Sequence, residues 1–172
     1  MKAILLADYK INPRAIAEAM WGTGGTNATR TNRKGAYYYS CSAHGGYIVS
    51  PNAFTEEEKA LIDQYTEPIK IQALVQHRIK GDYVIAVSLT AIQRECGKNR
   101  QFRYTMHLGP VEWVDIEFYA FEEDCDWATL EKLTDIKTLD KHSTCTPEKR
   151  LEIVESTFKR WAKVPHSDGE IS

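Results

Sequence analysis

His44 is preceded at three residues by Cys41 and followed by Gly45 and Gly46, all within the stretch YYYSCSAHGGYIVS that runs from Tyr37 to Ser50. An imidazole titrates near neutrality and can serve as general base, metal ligand or binding contact, and adjacent glycines let backbone amides face a ligand. The same histidine on a tight turn can equally be bonded to nearby backbone, with no chemistry attached. A neighbouring thiol raises a nucleophilic Cys–His pair, because a thiolate needs a base or positive charge beside it. Cys41, however, falls on a predicted strand and His44 past its end, so the two side chains need not meet. A packed cysteine is the simpler reading.

A run of carboxylates offers a second kind of chemistry. Between Val111 and Asp126 lie Glu112, Asp115, Glu117, Glu122, Glu123, Asp124 and Asp126, with no Lys or Arg among them. Close carboxylates repel, so they call for solvent, a cation or a basic partner. Three roles fit: acids in the first turn of a helix favoured by its dipole, oxygen ligands for a divalent ion, or a negative surface offered to a basic protein. Metal binding is the weakest of these, because no spacing in the run matches a known ligand loop.

No established cofactor or metal motif accompanies either feature. Cys41, Cys96, Cys125 and Cys145 contain no C-x-x-C pair, and the five histidines show no H-E-x-x-H spacing. GTGGT at Gly22–Thr26 could cradle phosphate, yet it lacks the lysine and hydroxyl ending of a P-loop and follows a predicted helix instead of a strand. Arg94, Lys98, Arg100 and Arg103 form a basic cluster of the kind usually found on solvated hairpins. Twenty-two Lys and Arg against 24 Asp and Glu leave a formal charge of -2, so no global field favours nucleic acid or an anionic membrane. The apolar run before Asp8 is too short for a signal peptide's hydrophobic region or a membrane span, which predicts a cytosolic protein.

The elements that must position these groups are legible from periodicity. With 172 residues the chain is near the size of one domain. A single globular domain over 1–165 and a flexible tail over 166–172 are predicted. A short strand at Ile4–Ala7 precedes a helix capped by Asn12, with Pro13 in its first turn and Gly22 as its stop. Gly22–Gly35, rich in glycine and basic residues, reads as a mobile surface loop. Tyr37–Ser42 and Tyr47–Ser50 read as a hairpin around Ala43–Gly46, with Tyr37, Tyr39 and Cys41 on one face and Tyr38, Ser40 and Ser42 on the other; only one face is expected to be core. Thr55 and Glu58 form a capping-box pattern before a helix with the stripe Ala60, Leu61, Ile62 and Tyr65. The segments at 69–79, 82–92, 101–109 and 111–121 predict an antiparallel meander, the last with Val114, Ile116, Phe118 and Ala120 on one face and Trp113, Asp115, Glu117 and Tyr119 opposite. A helix with Trp127, Leu130 and Leu133 and acids in its first turn follows. The last helix has Thr146 as N-cap and Pro147 at its first position, and it is expected to bury Leu151, Val154, Phe158 and Trp161. The fold class is therefore α+β, an antiparallel sheet of hairpins and meander packed against three to four helices.

Ser42, His44, Gly45 and Gly46, followed downstream by Glu122, Glu123, Asp124, Cys125, Trp127 and Ala128, resemble an uncharacterised domain family of phages and conjugative plasmids. In that family a Ser-x-His-Gly-Gly hairpin is followed by a Glu-Glu-Asp-Cys-x-Trp-Ala segment. The likeness spans the middle half of the chain, implies a mobile-element setting and supplies no activity. Recurrence of both motifs together would imply that the hairpin turn and the acidic junction are adjacent, with His44 near Glu122, Glu123 or Asp124.

Two functional classes follow. The first is a small non-enzymatic protein of phage or plasmid origin that binds and inhibits or modulates a host protein with a basic surface, such as a defence or restriction factor. Its expected contact residues are His44, Trp113, Asp115, Glu117, Tyr119, Glu122, Glu123 and Asp126. The alternative is a hydrolase or nuclease with His44 as base or ligand and Glu122, Glu123 or Asp124 as its partner, with or without a divalent ion. Nucleic-acid binding through Gly22–Gly35 and Arg94–Arg103 would require both to share one positive face.

Overall fold

The computed structural model describes residues 4–5, 13–22, 25–41, 44–76, 83–88, 111–124, 126–139 and 145–162. The elements in chain order are β1 (Ile4–Leu5), α1 (Arg14–Trp21), β2 (Asn27–Thr29), β3 (Ala36–Ser40), β4 (Gly45–Val49), a 3-10 turn at Pro51–Ala53, α2 (Glu56–Ile62), β5 (Ile69–Gln76), β6 (Tyr83–Ser88), β7 (Val111–Glu122), α3 (Trp127–Leu133) and α4 (Pro147–Trp161). The fold is α+β, as the periodicity predicts. One sheet has the order β2-β3-β4-β7-β5-β6, all antiparallel, and β1 adds a short parallel pairing to β7. β7 is thus an interior strand, filling the place between the hairpin β3–β4 and the hairpin β5–β6. A meander in simple sequence order would have left it at an edge; its predicted third strand, 101–109, lies outside the described residues, as does the basic cluster Arg94–Arg103.

The central position of β7 explains its composition. Val114, Ile116 and Phe118 alternate onto one face, where they meet Ile16, Ala17 and Trp21 of α1 together with Tyr39, Ile48 and Ile71. Tyr119 and Phe121 point to the other, against Tyr47, Val49, Phe54, Ile62 of α2, Leu130 of α3 and Ile136. Phe118, Tyr119, Phe121 and Tyr47 are all fully buried. Each such side chain contributes about 1.5–3 kcal/mol through the surface it removes from water. The expectation of a single core face on the tyrosine hairpin is corrected accordingly. Tyr37 and Cys41 pack at the α1 core, Tyr38 packs at the α2–α3 core, and every residue of β4 is buried. Helices on both sides of β4 make this possible.

Several other boundaries differ from the sequence expectations. Gly22–Gly35 is not a free loop over its described part. Asn27–Thr29 pairs with Tyr38–Ser40, Thr26 is buried, and Thr31 bridges to Thr138. Arg33 anchors this segment through ion pairs to Glu58 and Asp135. Its polar composition reflects backbone and charge pairing where apolar burial was absent. Pro13 occupies the N-cap position of α1, with Asn12 outside the described residues, and Gly22 ends the helix at φ 113 as a stop glycine should. The capping box of Thr55 and Glu58 and the Thr146 cap of α4 are present. On α2, however, Ile62 alone of the helical part of the predicted stripe is buried. On α4 only Val154 is buried; Phe158 leans on Tyr65 at 5.6 Å between ring centroids, while Leu151 and Trp161 are exposed. The predicted acids of α3 do not lie in its first turn but end β7 and form the turn before the helix. Positions 166–172 lie outside the described residues. No helix among the described residues is long and apolar enough to cross a membrane.

Candidate functional site

The turn of the β3–β4 hairpin is clamped against the end of β7. The amide of Cys41 donates to the carbonyl of His44 at 2.8 Å, and the amide of Glu123 donates to the carbonyl of Gly45 at 2.8 Å. Gly46, opposite Glu122 in register, is required here: with φ 153, a Cβ on it would lie 2.1 Å from the Phe121 carbonyl oxygen. The double glycine therefore serves close strand approach more than turn geometry.

This approach carries His44 to the acidic junction. Its Nδ1 lies 3.1 Å from Glu122 Oε1 and 3.3 Å from Asp124 Oδ2, and all three side chains are solvent-accessible. The three donor atoms lie within 4.8 Å of one another, close enough to share one divalent cation. One nitrogen and two carboxylate oxygens suit a borderline ion such as zinc, or a harder one such as manganese. Without a metal, a proton on Nδ1 would bridge to these carboxylates and orient the ring, and no hydrogen bond engages Nε2 among the described residues. Either arrangement orients an imidazole.

Glu123 does not join this group. It turns inward, where the Tyr38 hydroxyl donates to its Oε2 at 3.1 Å. Burial and the Glu123 carboxylate push Tyr38 up to about 12, so the phenol remains a donor at neutral pH. Nor does Cys41 join His44: its Sγ sits 3.7 Å from Thr26 Oγ1 and packs at the α1 core. The two side chains have different partners.

The remaining expected contact residues divide across the sheet. Trp113, Asp115 and Glu117 share one face of β7, with Lys70 opposite Glu117 and Gln72 opposite Asp115 on β5. Trp113 is 50% exposed. Gln72 donates to Asp115 at 3.2 Å and Lys70 stands 3.9 Å from Glu117, so both carboxylates retain acceptor capacity. Tyr119 belongs to the same face by alternation but is not exposed, and its place among the contact residues is corrected. α2 covers it, and its hydroxyl donates to Asp63 at 2.5 Å. Asp126 stands at the N-cap position of α3, away from Trp113. What reads in the sequence as one acidic strip is thus a sheet face that no described helix covers at one end of β7 and a histidine–carboxylate cluster at the other.

A third feature has no motif in the sequence. Thr29, Tyr38, Tyr47, Glu123, Trp127, Glu131, Thr138 and Arg150 line a cavity of about 240 Å³ between the sheet and α3–α4. Thr29, Tyr38 and Tyr47 form one cross-strand row, and Trp127 and Glu131, four apart on α3, face it. Glu131, only 5% exposed in its side chain, accepts from Arg150 Nη2 at 2.6 Å and Nε at 3.0 Å, and from the Tyr47 hydroxyl at 2.5 Å. The i, i+4 pairing of an aromatic with a carboxylate on α3 was the one signal for it, and that pattern is too common to single out.

Comparison with protein-family models, with curated proteins and with solved structures yields no match to this chain.

Proposed function

We propose that this is an interaction protein whose open acidic and aromatic sheet face docks on a basic surface of another protein. The observation that carries this reading is the half-exposed Trp113 in line with Asp115 and Glu117, on a stretch of β7 that no described helix covers. A large aromatic with carboxylates beside it suits a contact rich in arginine or lysine, since Trp anchors interfaces and rim charges steer association. The resemblance to mobile-element proteins would make the partner a host protein, and inhibition or modulation of a defence or restriction factor is the role consistent with that setting. The test is affinity capture from host lysate. A partner retained by wild type, weakened by added salt and lost in the Asp115→Lys/Glu117→Lys variant is expected. Capture that survives both variant and salt would sink the proposal.

The His44 cluster favours a second reading, a hydrolase or nuclease. Nδ1 held 3.1 and 3.3 Å from two carboxylates leaves Nε2 as a general base, or else the three groups as ligands of a divalent ion that would activate water. Glu122 and Asp124, and not Glu123, are its partners. Metal-dependent hydrolysis abolished by His44→Ala and unaffected by Asp115→Lys/Glu117→Lys would shift the assignment to this reading.

A further inference from the structure

We infer that the cavity beneath α3 is a binding site for a compact organic cation, an alkylammonium or guanidinium group. This stands apart from the open-face reading, because it concerns other residues, at the opposite end of β7 from Trp113.

The chemistry follows from which hydrogen-bonding groups are already used. Tyr47 donates to Glu131 and Tyr38 donates to Glu123, so both phenol protons are engaged. Arg150 commits Nε and Nη2 to Glu131, which neutralises that carboxylate and occupies both its oxygens. The two phenol protons and the Nε and Nη2 groups of Arg150 are therefore already engaged and not offered to an anion. Glu123 is different: its side chain accepts only the Tyr38 hydroxyl, and no cation pairs with it among the described residues. The cavity thus presents one carboxylate without an ion-pair partner among the described residues, beside the partly exposed Tyr38 and Trp127, with Tyr47 buried. A carboxylate beside aromatic faces is the environment that stabilises an organic cation, through charge and through the ring quadrupoles.

The site is also built rather than incidental. Glu123 is held by the hydrogen bond its backbone N–H donates to the Gly45 carbonyl and lies across Gly45, where a Cβ would come within 2.6 Å of its Oε2. The Tyr38 and Tyr47 rings fix each other edge to face at 5.0 Å. A volume of about 240 Å³ falls below that of cofactor pockets and suits the head group of one amine or one basic side chain. A basic side chain of a partner and a free amine share that chemistry.

The test is a two-dimensional NMR titration of the full chain with Nα-acetyl-arginine amide, Nα-acetyl-lysine amide and the free diamine putrescine, with Nα-acetyl-citrulline amide as the neutral control. Saturable shifts at the Trp127 indole and the Glu123 amide are expected with the cations and not with citrulline. Glu123→Gln keeps an acceptor for Tyr38 and should weaken binding at least tenfold. Trp127→Leu, which keeps α3 apolar where it packs, should weaken it about threefold or more. Tighter binding of the blocked residues than of putrescine would identify a protein side chain as the source, and the reverse a free amine. Equal shifts with citrulline, or affinity unchanged in both variants, would overturn the assignment.

Discussion

The two halves of β7 share one alternation and meet different fates. Between Trp113 and Glu117, the residues Trp113, Asp115 and Glu117 share a sheet face that no described helix covers; from Tyr119 to Phe121 the same face is sealed by α2, α3 and the 3-10 turn. Tyr119 and Trp113 are both amphipathic aromatics, yet one is fully buried and the other half-exposed. Strand periodicity assigns a side chain to a face, and the elements packed above that face decide whether it is core or surface.

The sharpest way to break this comparison is to truncate one ring in each half. Phe121→Ala should lower stability by about 3–5 kcal/mol, because it opens a cavity under three packed elements. Trp113→Ala should leave it within about 0.5 kcal/mol while weakening partner capture. Equal shifts of the urea midpoint would show that the open half is covered after all. At the covered end, Gly46→Ala should cost on the order of 3 kcal/mol, since the new Cβ collides with the Phe121 carbonyl and separates β4 from β7. It should also release the hairpin turn, so that the His44 ring resonances lose their dependence on Glu122 and Asp124.

A smaller effect probes how Tyr119 is sealed. Tyr119→Phe removes its bond to Asp63 and should destabilise by about 1 kcal/mol at neutral pH. Burial and that bond push Tyr119 from 10.0 up to about 12. The unfolded chain releases the phenol proton first, so this stabilisation is complete below pH 10 and declines as the pH rises towards 12. Alkaline denaturation followed by circular dichroism should be shallower in the variant. Smallest of all, His44→Ala should change stability by less than about 1 kcal/mol, because its contacts with Glu122 and Asp124 are solvent-accessible. A larger loss would make the cluster a structural staple and weaken the enzymatic reading.

Much of the candidate site was legible at the level of neighbours. The glycine-flanked His44 and the carboxylates at 122–124 were singled out by residue type, and their proximity was implied by the resemblance; the structure brings them within hydrogen-bonding distance. The choice of Glu122 and Asp124 over Glu123 was not legible. It depends on Glu123 lying between them on a strand end, where alternation turns it towards Tyr38. The acidic strip misled for the same reason: consecutive acids on a strand belong to two faces. The cavity of Tyr38, Tyr47, Glu123, Glu131 and Arg150 is not legible in the sequence because these residues come from five separate segments with no fixed spacing.

By itself the sequence determined the types of the described elements other than β2 and the 3-10 turn, the caps of α2 and α4, the alternation along β7 and the hairpin around His44, since each rests on local periodicity or on the backbone freedom of a few residues. Only the tertiary structure decided the placement of β7 between β4 and β5, the two-sided core, the exposure of Trp113 against the burial of Tyr119, and the pairing of Glu131 with Arg150. Those depend on contacts between residues far apart in the chain, and the free energy of long-range packing is not written in the order of neighbouring residues.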